Sequence, residues 1–516
     1  MLSDTMMLGG GRQAAYSIEN SLLFRGGQYL SRTPSVTGDR QKFTISAWVR
    51  RARLDVEQHV FSASNGANSD TTIFGLTFTE TGAIAIGGGV TNWRITTALY
   101  RDVNAWYHIV CTVDTTTQTV SLEVNGIPVT SFSTNNAIPL NLQTAVNSIV
   151  EHRFGALNYA FPYYNNCQIA EPVVLDGVTL TSSSFGEFDP ATLNWRPKRP
   201  AVVLWGTNGC YLGKPWNNAN LGMDYSGRGN HWAPVGFAAT DVVADTPTNV
   251  YATLNPLDKG AAFTYSNGNL SIVTSSSLEG SYRSSMVLPN SGIWVAEATV
   301  TVAHDILGIM PPLAPRWPDI SYTAVEIQWG RVWARGTNYY TFSPLSEGSV
   351  IGVVANTTAG TAQFYVDGSA FGSAVPLPLS SDIAFGGHDG SPTYFQGADW
   401  NFGQKPFAYP NVYGAAKPLC TANMPPTVGI ASGSFIGSVS ADGPCIYTGA
   451  VPRTLTINGN AVTWGTHADK LATGFKIRTD SASYNSSGTN TWTATYDRKP
   501  TVGPKGRAPA NAQVNP

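Results

Sequence analysis

Trp106-Tyr-His-Ile-Val-Cys-Thr-Val-Asp-Thr-Thr-Thr-Gln-Thr-Val-Ser-Leu-Glu-Val-Asn-Gly126 has a counterpart about 240 residues further on, Val350-Ile-Gly-Val-Val-Ala-Asn-Thr-Thr-Ala-Gly-Thr-Ala-Gln-Phe-Tyr-Val-Asp-Gly368. Each stretch reads as a strand, a polar turn, a second strand and a tight Asx-Gly turn. Asp114 and Asn125 have the same spacing as Asn356 and Asp367. Val120, Leu122 and Val124 alternate with polar residues, as do Ala362, Phe364 and Val366. Period-2 alternation marks a half-buried antiparallel strand. Asn-Gly and Asp-Gly suit a type I′ hairpin, which needs φ > 0 at both central residues. The repeat predicts two antiparallel β-sandwiches of related design.

The bulk composition fits that reading. At 516 residues the chain exceeds one core, and roughly three domains are expected. Hydrophobic residues make up 42%, enough for packed cores, whereas charged residues make up only 12%, about half the usual share. With 52 Gly and 32 Pro, this is a turn-rich β composition with a neutral polar surface, common among extracellular and virion proteins. The net charge is −2, and Lys499, Lys505 and Arg507 form only a sparse basic tail. Nucleic acid binding, which requires a basic footprint, is therefore not expected.

Five cysteines, Cys111, Cys167, Cys210, Cys420 and Cys445, are odd in number, far apart and without a C-x-x-C pair. No zinc site or disulfide framework is expected, although a Cys420–Cys445 bridge is conceivable. Residues 1–11 lack the charged-then-apolar layout of a signal peptide, and no run of 18 apolar residues occurs. No membrane insertion is expected. A secreted-type composition without that leader suggests assembly inside a cell followed by release.

Along the chain the signals divide as follows. Residues 1–17 read as an N-terminal arm. Residues 18–200 carry closely spaced strand signals and form the first sandwich. Residues 201–252, rich in Asn, Gly, Pro and Trp, read as an irregular connector. Residues 253–410 form the second sandwich and 411–444 a linker. Residues 445–497 read as a small β module, with a hairpin at Thr454-Leu-Thr-Ile-Asn-Gly459, and 498–516 as a flexible tail. The fold class is all-β.

Catalysis leaves no comparable trace. Glycoside hydrolysis needs two carboxylates roughly 5–10 Å apart, and no Glu-x-Asp-x-x-Glu run occurs. Glu123, Glu297 and Glu326 stand singly; Asp305, Asp319, Asp382 and Asp389 lie in turn-like contexts. No Gly-x-Ser-x-Gly elbow, His-Glu-x-x-His pair or EF-hand loop is present. His108 reads as a sheet residue and His388-Asp389-Gly as a turn. No catalytic residue, metal site or cofactor is assigned. Aromatics remain: Trp48, Trp106 and Trp294 fall in strand patterns and read as core, whereas Trp93, Trp216, Trp232, Trp317 and Tyr339-Tyr340 fall in or beside loops.

The set Ser21-Leu-Leu-Phe-Arg-Gly-Gly-Gln-Tyr-Leu-Ser-Arg-Thr-Pro34, Phe43-Thr-Ile-Ser-Ala-Trp-Val49, Ala105-Trp-Tyr-His108, Val124-Asn-Gly126 and Ala170-Glu-Pro-Val-Val-Leu-Asp-Gly177 resembles the laminin-G-like, concanavalin A-like domains of bacteriophage virion proteins. Phe185-Gly-Glu-Phe-Asp189, Trp195-Arg-Pro-Lys198 and Asp224-Tyr-Ser-Gly-Arg-Gly-Asn-His-Trp232 resemble the connector of those proteins. Leu254-Asn-Pro-Leu-Asp258, Gly292-Ile-Trp294 and Asn401-Phe-Gly-Gln404 resemble a SPRY-type sandwich. Lys470-Leu-Ala-Thr-Gly-Phe-Lys-Ile477 with Asn485-Ser-Ser-Gly488 resembles a short form of the C-terminal module.

The resemblance implies a concanavalin A-like jelly roll followed by a SPRY-like sandwich. It also implies a non-enzymatic tail or tail-fibre component exposed on the virion. Capsid decoration or head fibre is the alternative, and polysaccharide depolymerase a distant third. Its implied partners are other virion proteins, copies of itself as a homo-oligomer (a trimer), and a host-surface glycan or receptor. Contacts in such a module come from loops, because the sheet faces pack together. Trp93, Trp216 and Trp232 are therefore the expected ligand-binding residues.

Overall fold

The computed structural model describes residues 16–159, 163–189, 194–217, 219–260, 263–274, 280–302, 306–311, 325–328, 331–341, 345–378, 382–389, 397–424, 427–436, 445–447, 454–464, 466–471, 474–479 and 481–498. Nearly all of the expected arm 1–17 and tail 498–516, together with Asp305, Asp319 and Trp317, lies outside the described residues.

Both diagnostic hairpins form. Tyr107–Asp114 pairs with Thr119–Val124, and Val350–Asn356 with Thr361–Val366. Asn125 and Gly126 have φ of 50° and 79°, and Asp367 and Gly368 have 48° and 79°, as a type I′ turn demands. The two turns, which join Val124 to Ile127 and Val366 to Ser369, dock on the first strand of each hairpin in the same way. Asn125 N donates to His108 O and Asp367 N to Val350 O, both at 2.9 Å. Each turn side chain then accepts the amide opposite: His108 N to Asn125 Oδ1 at 2.7 Å, and Val350 N to Asp367 Oδ1 at 2.8 Å.

The first sandwich packs two eight-stranded sheets. One runs Ile127–Pro128, Thr119–Val124, Tyr107–Asp114, Lys42–Arg51, Asn166–Asp176, Ser21–Arg25, Val242–Val243, with Cys210–Tyr211 added beside Asn166–Asp176. The other runs Phe132–Asn135, Asn92–Thr96, Ile84–Gly88, Ile73–Phe78, Gln58–Ser64, Glu151–Phe154, Tyr29–Arg32, Ala233–Val235. Phe43 from one sheet meets Phe74 of the other edge to face at 5.3 Å, inside a core that includes Ile45, Phe61, Leu76, Phe78 and Leu122. Trp48 and Trp106 are buried as expected, but on the outer face of the first sheet, with Ile18 and Ala170.

Residues 201–252 are not a separate connector. They supply three edge strands to the two sheets of the first sandwich, through Cys210–Tyr211, Ala233–Val235 and Val242–Val243. Buried aspartates hold the irregular parts. Asp224 accepts the amides of Tyr211, Ser226 and Asn230 at 2.8–2.9 Å. Asp176 accepts those of Asp39 and Asn208 at 2.7 and 2.9 Å. Carboxylates thereby satisfy backbone donors that no ladder reaches.

The second sandwich pairs a seven-stranded with an eight-stranded sheet. Its central strands are Ala384–Asp389, Ile306–Met310 and Val325–Gln328 on one side, and Gly397–Asn401, Ile293–Val302 and Val350–Asn356 on the other. His388 lies in a strand and not in the expected turn. It is fully buried, with Nε2 2.8 Å from Glu326 Oε2. Glu297 is also buried, accepting Ala408 N, Tyr409 N and the Tyr413 hydroxyl at 2.7–3.0 Å.

The expected linker 411–444 is partly built into the sheets. Lys417–Pro418 pairs in parallel with Ile293–Val302, and Thr427–Ile436 pairs along its length with Thr489–Arg498 in the third unit. That unit has a core of Leu455, Ile457, Phe475, Ile477 and Trp492. Cys111, Cys167, Cys210 and Cys420 are free, buried thiols; the side chain of Cys445 lies outside the described residues.

Candidate functional site

The strand Ile73–Phe78 sends Phe74, Leu76 and Phe78 into the core, so Ile73, Gly75 and Thr77 face outward. Across it, Gly75 pairs with Gly87 and Thr77 with Ala85, while His59 of the next strand pairs with Thr77. These small and polar residues floor a cleft of about 370 Å³ on the outer face of the second sheet. Glycine inside a strand often marks a place where another group approaches the backbone. A Cβ on Gly75 would point at the Thr77 hydroxyl and the His59 ring, 3.2 and 3.4 Å away.

One wall is a short hairpin in which Leu157 pairs with Tyr163; Leu157, Tyr159 and Tyr163 line the cleft. Tyr163 is 40% exposed, and its ring lies 5.6 Å from that of His59. Asn165 Nδ2 donates to His59 O at 2.8 Å and fixes this wall to the floor. The opposite wall is the glycine-rich loop 87–92 with Asn68. Asp70 Oδ1 accepts the amides of Val90 and Thr91, both at 3.0 Å, and so sets the shape of that loop.

His59 anchors the polar end. Its Nδ1 lies 2.9 Å from Thr77 Oγ1 and its Nε2 3.1 Å from Glu57 Oε1. The hydrogen bond with His59 holds the Glu57 carboxyl below its ordinary range. Among the described residues, the side chains of Asn68, Thr91 and Asn92 line the cleft without a bonding partner. The arrangement offers an aromatic face on one side and groups that both donate and accept on the other.

The three expected ligand tryptophans are not part of it. Trp93 is 0% exposed, Trp216 1% and Trp232 5%, and all three belong to the core of the first sandwich. Trp93 lies in the strand Asn92–Thr96 and packs 6.1 Å from Phe74. Trp216 is tied by two backbone bonds to the Asn20 side chain, both 2.8 Å. Trp232 lies 4.9 Å from Phe154. The 201–252 segment closes the sandwich and so turns its tryptophans inward. Sequence reading did not single out this cleft, although Gly75 and Gly87, mid-strand and facing outward, were a usable signal.

Residues 24–162, which include every residue lining the cleft except Tyr163, match a family model described as the concanavalin A-like lectin/glucanases superfamily. The first sandwich has a lectin-like fold of this type. Among solved structures, the chain is similar to the SPRY domain of human HERC1 (16% identity, 28% of this chain and 96% of that one, TM-score 0.24). It is similar to a carbohydrate binding protein from Bacteroides ovatus (16% identity, 42% and 59%, TM-score 0.29). It is also similar to a heptameric SAP-like pentraxin from Limulus polyphemus (12% identity, 33% and 82%, TM-score 0.26). The chain matches no curated protein sequence.

Proposed function

We propose that this protein is a non-enzymatic, carbohydrate-binding component of a bacteriophage particle, a tail or tail-fibre protein whose first sandwich holds a host-surface glycan. The cleft carries the glycan reading. It sets Tyr163 against Thr91, Asn92 and Asn68 over a floor of Gly75 and Gly87, a pairing of aromatic face and hydroxyl-matching groups that suits a sugar ring. Its volume lies near the lower end of ligand clefts, roughly 300–1,000 Å³, which suits a short saccharide epitope. Among the described residues the lining carries one carboxylate, Glu57, whereas glycoside hydrolysis uses two; this supports binding without turnover. The particle role, with other virion proteins and further copies of this chain as partners, is supported by the sequence resemblance.

Tyr163→Ala tests the site. The ring is exposed, so the melting temperature should stay near that of the native chain. Binding to immobilised host-surface polysaccharide should weaken by roughly 1–3 kcal/mol, as at aromatic binding anchors. A folded variant that binds as tightly as the native chain would remove the cleft from the reading.

A further inference from the structure

We infer that the cleft selects neutral saccharides and rejects acidic ones, an inference that rests on reading it as a glycan site. Recognition of a sugar carboxylate or sulfate needs a guanidinium, an ammonium or a nest of free backbone amides. Among the described residues, the cleft offers none of these. No Lys or Arg is among its lining residues. The cations nearest in sequence are turned elsewhere: Arg53 Nε to Asp55 at 2.7 Å, and Arg94 Nη1 to the carbonyls of Trp93 and Asn136 at 2.8 and 2.7 Å.

The glycine-rich loop is the natural place for an anion nest, and its amides are already engaged. Gly88 N donates to Thr91 O at 2.9 Å, Gly89 N to Ser69 O at 3.3 Å, and Val90 N and Thr91 N to Asp70 Oδ1. Both ring nitrogens of His59 face partners, Thr77 and Glu57. Among the described lining residues, the one formal charge is the Glu57 carboxylate, half exposed at the polar end. It repels a second carboxylate and accepts from a sugar hydroxyl. What the walls do supply, Thr and Asn side chains, donates and accepts as hydroxyl groups require.

The test uses the full chain and matched oligosaccharides that differ only at the terminal sugar, galactose against galacturonate and glucose against glucuronate, titrated by calorimetry. At least one neutral member should bind more tightly than its uronate partner by about tenfold, equivalent to ~1.4 kcal/mol. Glu57→Gln should narrow that gap by strengthening binding of the uronate member. Equal or tighter binding of the uronates, lost in Tyr163→Ala, would overturn the charge selection and leave the glycan site standing. Binding of no saccharide, or binding that Tyr163→Ala leaves unchanged, would overturn the glycan reading of the cleft and this inference with it.

Discussion

Asn92 and Trp93 are neighbours in one strand, and the pleat sends them to opposite faces. Asn92 lines the cleft; Trp93 lies between the sheets. Loop-like surroundings make Trp93 look exposed, but one residue of register reverses that. The floor was legible, since Phe74, Leu76 and Phe78 leave only one face for Gly75 and Thr77. The wall was not, because Tyr163 arrives from a distant hairpin through pairing that no local pattern announces.

At the same scale, Glu171 makes a pH-dependent prediction. It sits at φ 44° in a bulge, accepts the Tyr16 hydroxyl, and is pushed up by burial to about 7 from 4.5. Between those values the native state keeps a proton that the unfolded chain releases. Its stabilising contribution is therefore present below pH 4.5 and is lost as pH rises through about 7. His108 and His152 act in the opposite sense. Burial depresses them from 6.5 to about 3 and about 4, so their contribution is lost as pH falls below 6.5. Glu171→Gln removes only the first effect. At pH 8 the variant should be more stable than the native chain by roughly 3–4 kcal/mol, at about 1.4 kcal/mol for each of the 2.5 pKa units between 4.5 and about 7. The difference should vanish near pH 4.5. An offset constant across pH, in urea unfolding at each value, would show that Glu171 is not the titrating group.

The hairpins are the elements that sequence reads most surely, because pattern, turn chemistry and spacing agree. The strands Lys42–Arg51, Ile73–Phe78 and Asn166–Asp176 were legible for the same reason. Elements of two or three residues, such as Cys210–Tyr211 and Lys417–Pro418, were not. They carry no period of their own and become strands only when a longer neighbour offers an edge.

The turn residues provide a quantitative check. Asn125→Ala leaves at φ 50° a residue without the short polar side chain that lets Asn tolerate that region, and deletes the bond to His108 N. The left-handed region costs about 1–2 kcal/mol and the lost hydrogen bond about 1 kcal/mol. Asn125→Gly deletes the bond alone. Urea midpoints should fall in the order native, Asn125→Gly, Asn125→Ala, and the Asp367 pair should repeat that order in the second sandwich. A glycine variant less stable than the alanine one would contradict the type I′ account.

For the whole molecule, the tandem order of β units was legible from the repeat, but the way they join was not. The junction is polar and long-range. Arg50 of the first sandwich donates to the Asp245 carboxylate, to Tyr251 O at 3.2 Å and to Thr253 Oγ1 at 3.3 Å, at the entry to the second. Trp106 Nε1 reaches the same carboxylate at 3.4 Å. Nearby, Asn269 Nδ2 donates to Ala52 O at 2.9 Å, and Ala244 N to Gln404 O at 2.9 Å. Arg50 and Asp245 are both buried, and burial raises the Asp245 carboxyl while Arg50 opposes that rise. Removing one partner strands a buried charge, which typically costs about 3–5 kcal/mol, whereas replacing both by apolar residues of similar volume is often close to neutral. Arg50→Met should therefore destabilise strongly and split calorimetric unfolding into separate transitions for the two sandwiches. Adding Asp245→Leu should recover much of the loss. If Arg50→Met unfolds at the native temperature in an unchanged transition, the pair is not what joins the two sandwiches, and the apolar contacts around Tyr251 and Leu254 carry the junction instead.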